Sequence, residues 1–260
     1  MSSPTRTNIV DAVILAAGKG TRMQSDLPKV MHEIADRPML HWVVDACREV
    51  GAGRIVVVVG HREDLVRASL EGAEDVEFVT QHEQLGTGHA VDQARPLFAD
   101  ESDRDVLVLC GDGPLIRTET LRTLVETHRS AAADATLATS VIEDPTGYGR
   151  IVRDDAGRFE RIVEQKDADE RELAIREVNP SYYCFRSKPL FDRLSRTDND
   201  NANGEYYVTD VFGIARRDGA TVEVVAAVPP EDILSINTVD QLESVDRIMR
   251  NRLADLGVAS

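Results

Sequence analysis

The sequence predicts an α/β fold: a mostly parallel central sheet with helices on both faces, plus a smaller lobe in the second half. Three observations carry that expectation. Continuous apolar runs such as "RIVVVV" (54–59) and "DVLVLC" (105–110) have the all-round apolarity of strands covered on both faces. Amphipathic segments with helical periodicity alternate with these runs. Each run then breaks into glycine or polar residues, where ligands bind in sheets of this kind.

In chain order, "DAVILAAG" (11–18) reads as a buried strand entering a glycine loop. "RPMLHWVVDACREVGAG" (37–53) reads as a helix, with proline in its first turn, apolar residues at 39, 40, 43, 44, 47 and 50, and Gly51 as its stop. The strand at 54–61, a short helix from Asp64, the strand "VEFVTQ" (76–81), a helix from about Gly88, the strand at 105–112 and a helix over 118–133 follow. "YGRIVRDDAGRFERIVEQKD" (148–167) reads as a hairpin turning at "DDAG", and "AIREVNPSYYCFRS" (174–187) as one strand. Helices are expected from Lys188, Glu205 and Thr238, with a strand "TVEVVAAV" (221–228) among them. Residues 1–8 read as a flexible tail and 9–256 as a single domain. Its nucleotide-binding part is 9–140, its lobe 141–236 and its final helix 237–256.

Composition narrows the function. With 46 acidic against 30 basic residues and a net charge of −16, the chain lacks the basic excess that a nucleic-acid surface needs. No apolar run approaches the roughly 20 residues of a membrane span, and the start lacks a signal peptide's pattern, which points to the cytoplasm. Cys47, Cys110 and Cys184 form no C-x-x-C pair and sit among apolar neighbours, as reduced core thiols do. The six histidines form neither a helical i, i+4 pair nor a zinc spacing.

The loop "AAGKGTRM" (16–23) admits several readings. A dinucleotide fingerprint would need a third glycine where Met23 stands, and a P-loop would need four residues between its glycines and then Lys-Ser/Thr. The remaining options are a loop whose N–H groups wrap a triphosphate beside Lys19, Arg22 and Lys29, or a plain turn with solvated charges.

"LAAGKGTRM" (15–23) followed by "LPKVMH" (27–32) resembles the signature of sugar-1-phosphate nucleotidyltransferases. "QHEQLGTGHA" (81–90), "GD" (111–112), "DPTGYGRI" (144–151), "IVEQKD" (162–167) and "GEYYVTD" (204–210) sharpen the likeness. Together they resemble N-acetylglucosamine-1-phosphate uridylyltransferase, one half of the bifunctional enzyme that makes UDP-N-acetylglucosamine. The likeness runs over about residues 10–250.

The resemblance implies a Rossmann-like nucleotidyltransferase fold with a sugar-binding lobe, and UTP and a sugar 1-phosphate as substrates. It matches Leu15, Ala16, Ala17, Gly18, Gly20 and Thr21 to the nucleotide loop, and Arg22 and Lys29 to the cations on the triphosphate. Gln81, Gly86 and Thr87 match the uracil-reading residues, with Gly111 beside them. Asp112 and Asn237 match the Mg²⁺ ligands, a hard carboxylate and an amide oxygen. Gly149, Glu164 and Asn179 match the sugar-binding positions. Lys166, Tyr206 and Asp210 fall in matching blocks without a separate chemical argument.

The pattern also departs. No hexapeptide repeats follow, so the acetyltransferase activity and the trimer of bifunctional relatives are expected to be missing. Pro180-Ser181 stands where the family usually has Thr-Gly, and Gly113 where an apolar residue is common. Both departures suggest an altered sugar pocket. Rivals are the same chemistry on another sugar 1-phosphate or nucleotide (glucose or N-acetylgalactosamine 1-phosphate, or thymidylyl transfer), a catalytically silent sugar-nucleotide-binding module, and an NAD-dependent dehydrogenase.

Overall fold

The computed structural model describes residues 9–257 except 21, 22, 24 and 100–102. The expected tail, residues 1–8, lies outside them. Strand β1 (Val10–Leu15) leads through a glycine loop to the short pair β2 (Glu33–Ile34) and β3 (Arg37–Pro38), then to α1 (Met39–Glu49). Next come β4 (Ala52–Val59), α2 (Glu63–Ser69), β5 (Val76–Thr80), α3 (Thr87–Asp92), β6 (Asp105–Cys110) and α4 (Thr118–Ser130). The second half runs β7 (Ala135–Ala138), β8 (Ser140–Val141), β9 (Gly149–Arg153), β10 (Phe159–Val163), α5 (Glu170–Leu173), β11 (Glu177–Asn179) and β12 (Tyr182–Arg186). It ends with α6 (Ser187–Leu194), α7 (Asp210–Arg217), β13 (Val222–Val225) and α8 (Val239–Asp255).

Seven strands form the central sheet in the order β13-β7-β12-β6-β1-β4-β5, and β12 alone among them runs antiparallel to its neighbours. β1 pairs in parallel with β4 on one side and β6 on the other, Leu15 lying opposite both Val58 and Cys110. Side-chain alternation divides the core between the two faces. Ala12, Ile14, Ile55, Val57, Leu107 and Leu109 pack in one cluster, and Val13, Val56, Val58, Val106 and Val108 in the other. That double burial is the physical reason these strands read as continuous apolar runs.

A second sheet of four strands, β10-β9-β11-β8, is antiparallel throughout. The 174–187 stretch, expected as one strand, is two. β11 belongs to this sheet and β12 to the central one, and the break falls at Pro180-Ser181. Proline offers no N–H to continue a ladder, and Ser181 turns the chain in the left-handed region at φ 65°. β7 and β8 carry no clear sequence signal, β7 being four residues with two alanines and β8 only two residues long. The helix expected from Glu205 begins at Asp210, because Tyr206 is first held in extended pairing with another loop.

A third cluster, comprising Met23, Ile34, Met39, Leu115, Ile236, Val245 and Met249, seats α8 near the β2–β3 pair. It brings the segment before α8 to the carboxyl end of β1 and β6. Among the described residues no helix is long and apolar enough to cross a membrane.

Candidate active site

The loops after β1, β5 and β6 enclose a cavity of about 340 Å³. Its wall takes Leu15, Ala16, Ala17, Gly18, Gly20, Lys29, Gln81, Gly86, Thr87, Asp112 and Asn237, so eleven sequence-predicted residues converge. Thr21 and Arg22 lie outside the described residues. Gly111 is just behind the wall. Its N–H donates to the Leu15 carbonyl at 2.9 Å, and a Cβ there would come within 3.1 Å of that oxygen. Gly20 adopts φ 62°, and a Cβ on it would sit 2.8 Å from the Lys29 Cβ. Glycine at that position therefore lets the loop cross the lysine stem. Lys19 is exposed.

Three distant segments meet at one edge of this cavity. Lys29 sits on a single 3₁₀ turn after Pro28, Asp112 just beyond β6, and Asn237 just before α8. The Lys29 ammonium pairs with the Asp112 carboxylate and donates to Asn237 Oδ1 at 2.7 Å. Asn237 is itself anchored, its N–H donating to Gln241 Oε1 at 2.7 Å, while Thr238 caps α8. A carboxylate and an amide oxygen already converge on one cation here. That donor set suits a hard divalent ion whose remaining ligands come from phosphate and water. Among the described residues no group of three or more His, Cys, Asp or Glu side chains forms a different metal site.

The loop over 81–88 is tied to the segment over 204–209. Tyr206 N–H donates to the Leu85 carbonyl at 2.8 Å, Gly88 N–H to the Tyr206 carbonyl at 2.7 Å, and Val208 N–H to Thr87 Oγ1 at 3.1 Å. A Cβ on Gly86 would fall 2.5 Å from the Tyr206 oxygen, so only glycine fits that crossing. Gln81 is buried, and its amide nitrogen reaches the Gly86 carbonyl at 3.1 Å and His89 Nδ1 at 3.0 Å. Gln84, absent from the sequence-based set, donates to the Ala17 carbonyl at 2.9 Å and joins this loop to the first.

A second cavity of about 230 Å³ adjoins the first, sharing Leu15, Thr87, Cys110 and Glu205 with it. Glu164 lines it and accepts a hydrogen bond from Thr209 Oγ1 at 3.0 Å. Burial holds the Glu164 carboxyl above the usual carboxylate range, with Asp210, Asp167 and Glu205 adding to the rise. Gly149 does not line the cavity, but a Cβ on it would approach Glu164 Oε2 to 3.4 Å. Asn179 lies behind the wall, donating to the Tyr183 hydroxyl at 2.7 Å and accepting from Ser181 N–H at 3.1 Å. Ser181 and Tyr183 are the residues it presents to the cavity.

Nothing in the structure requires glycine at position 113, where a Cβ would make only ordinary contacts. A Cβ there would stand 3.4 Å from the Tyr182 hydroxyl, which donates to the Asp232 carbonyl at 3.0 Å. The Cys110 thiol is pushed up to about 12, chiefly by burial and then by Asp112, so it is no nucleophile near neutral pH. Lys166 donates to Asn203 Oδ1 at 2.7 Å.

The family model described as the MobA-like NTP transferase domain matches residues 12–205. The chain is 48% identical over 244 residues to the "Bifunctional protein GlmU" of Pelobacter propionicus, covering 94% of this chain and 53% of that protein. It is likewise 48% identical to the protein of that name from Bacillus cereus over 242 residues, 93% of this chain and 52% of the relative. The chain thus spans about half the length of these curated relatives. A UDP-glucose pyrophosphorylase solved with UDP-glucose superposes with a TM-score of 0.76 at 17% identity, covering 94% of this chain and 99% of that one. A putative glucose-1-phosphate thymidylyltransferase from Bacillus anthracis gives 0.75 at 18%, covering 93% and 95%. These two likenesses show the fold alone: a Rossmann-like α/β sheet shared with nucleotidyltransferases. The chain belongs to the MobA-like NTP transferase family and is a nucleotidyltransferase.

Proposed function

We propose that the chain transfers UMP from UTP to N-acetylglucosamine 1-phosphate, yielding UDP-N-acetylglucosamine and pyrophosphate, with Mg²⁺ as its cofactor. The observation that carries this reading is the meeting of Lys29, Asp112 and Asn237 beside a wall of small residues, Ala16 to Gly20. Small residues let backbone N–H groups approach a phosphate chain. Mg²⁺ held by Asp112 and Asn237 would supply charge neutralisation for the triphosphate. Lys29, and Arg22 by resemblance, would steady the pyrophosphate as it leaves.

The remaining contributions are those of positioning. A sugar-phosphate oxygen is already ionised at neutral pH, so its in-line attack on the α-phosphorus needs no side-chain base. Gln81 supports recognition of uracil, because its amide nitrogen is engaged within the loop. Its oxygen has no hydrogen-bond partner among the described residues and can accept from a ring N–H. The second cavity, lined by carboxylates rather than cations, suits the hydroxyl-rich sugar. A cytoplasmic setting belongs to the same proposal, since UTP is held there.

The test is a pyrophosphate-release assay with UTP, Mg²⁺ and a panel of N-acetylglucosamine, N-acetylgalactosamine, glucosamine and glucose 1-phosphates. Preferential release with the first supports the reading. Preferential release with glucose 1-phosphate moves the activity to another sugar, and no release with any partner overturns it.

A further inference from the structure

We propose that Glu205 is a specificity-determining residue that accepts hydrogen bonds from substrate hydroxyl groups where the two cavities meet. It lines both of them. Its backbone is fixed on either side: its N–H donates to Asn201 Oδ1 at 3.2 Å and its carbonyl accepts from Asn201 Nδ2 at 2.6 Å. The next residue, Tyr206, is pinned to Leu85. A Cβ on Gly86 would lie 2.8 Å from the Glu205 Cβ, so the bare loop backbone is what makes room for this side chain.

The carboxylate held in this way makes no hydrogen bond or ion pair among the described residues. Glu164, the other acid of the second cavity, at least accepts from Thr209. A carboxylate is an acceptor only, and it repels phosphate, so its ligand must be a donor on an uncharged part of the substrate. Neighbouring hydroxyls on a ribose or a hexose are such donors, and two oxygens can take both at once. Glu205 and Glu164 both line the second cavity, so the two acids face shared space. The same chemistry serves either sugar ring, because Glu205 stands at the junction between the two cavities. This inference rests on the proposed nucleotidyl transfer to a sugar 1-phosphate.

The experiment compares kcat/KM of the wild-type chain, Glu205→Ala and Glu205→Gln in two arms. One arm sets UTP against 2′-deoxyuridine triphosphate. The other sets N-acetylglucosamine 1-phosphate against its singly deoxygenated analogues. Glu205→Ala is expected to lower kcat/KM for the fully hydroxylated pair about 10- to 100-fold, as for a lost hydrogen bond to a charged group. An analogue that lacks the recognised hydroxyl should lose far less, so discrimination contracts, and Glu205→Gln should fall between. Contraction in the nucleotide arm assigns the ribose, and contraction in the sugar arm assigns the hexose. Glu205→Gln preserves the shape if the alanine variant folds poorly. Equal losses for every substrate, or none, overturn the assignment while wild-type turnover stands. A wild-type chain without turnover on any pair overturns both this inference and the reaction beneath it.

Discussion

The Lys29 ammonium lies 2.7 Å from the Asn237 side-chain oxygen, and the same ammonium neutralises Asp112. Residues from the first loop, the end of β6 and the start of α8 thus close on one point. A positive charge already occupies the space between the two oxygens that would hold a metal.

Mg²⁺ bound as proposed, by Asp112 and Asn237, would displace this ammonium. Lys29→Met should let the free protein bind Mn²⁺, used as a spectroscopic probe, about 10-fold or more tightly, since about 1.4 kcal/mol of competition suffices. The same change should slow pyrophosphate release by about 10²- to 10³-fold, the usual loss on removing one group that stabilises developing charge. Electron paramagnetic resonance titration reads the first effect. Weaker Mn²⁺ binding by the variant would show that lysine and metal do not compete.

Gly86 and Gly18 should respond differently to alanine. At Gly86 a Cβ would press 2.5 Å from the Tyr206 oxygen at a backbone φ of 108°. Gly86→Ala should cost about 2–4 kcal/mol and lower Tm by about 5–10 °C. At Gly18 nothing lies within 4 Å of the added carbon. Gly18→Ala should leave Tm nearly unchanged while raising KM for UTP. Calorimetry and kinetics separate the two effects, and an unshifted Tm for Gly86→Ala would mean the two loops are not locked together.

The strand–helix order is legible in the sequence because β4 and β6 are buried on both faces and end abruptly on Gly60 and Gly111. Lys29, on the turn after Pro28, is found through the family resemblance, whereas Asp112 and most of the small-residue wall follow from their place just after such strands. Asn237 does not, because its partners are distant in the chain and an asparagine before a helix ordinarily reads as a cap. Glu205 is likewise hidden, being one more acid in a polar loop until Gly86 is seen to make room for it. The split at Pro180-Ser181 is missed because strand propensity on either side is high. The partner sheet, rather than local preference, decides where each half pairs.

Asp210 should give the fold a measurable pH dependence. Burial, with Asp198 and Asp167 nearby, raises its carboxyl from 3.8 to about 6. The folded state therefore favours the protonated acid. That contribution to stability is fully present below pH 3.8 and is lost as pH rises through about 6. Asp210→Asn, neutral throughout, should match wild type near pH 4 and exceed it at pH 7.5 by on the order of 1–2 kcal/mol, allowing for solvent screening. Thermal melts at both pH values check this. An equal gain at each would assign the effect to something other than ionisation.

Ser181 holds φ 65° without being glycine, and it lines the second cavity. Ser181→Gly should stabilise the chain by about 0.5–1 kcal/mol through relief of that conformation. It also removes a hydroxyl from the proposed sugar site, so relative rates across the four sugar 1-phosphates should change. Identical preferences in variant and wild type would exclude a role for Ser181 in sugar choice.

Whether Asp112 and Asn237 grip one ion on one triphosphate is settled most directly by Mg²⁺-dependent pyrophosphate release from UTP and N-acetylglucosamine 1-phosphate. Wild type, Asp112→Ala and Asn237→Ala should be compared at matched Tm. Abolished release in the aspartate variant, and a deep loss in the asparagine variant that added Mg²⁺ partly restores, are the expected results. Wild-type rates in a folded Asp112→Ala protein would contradict the account.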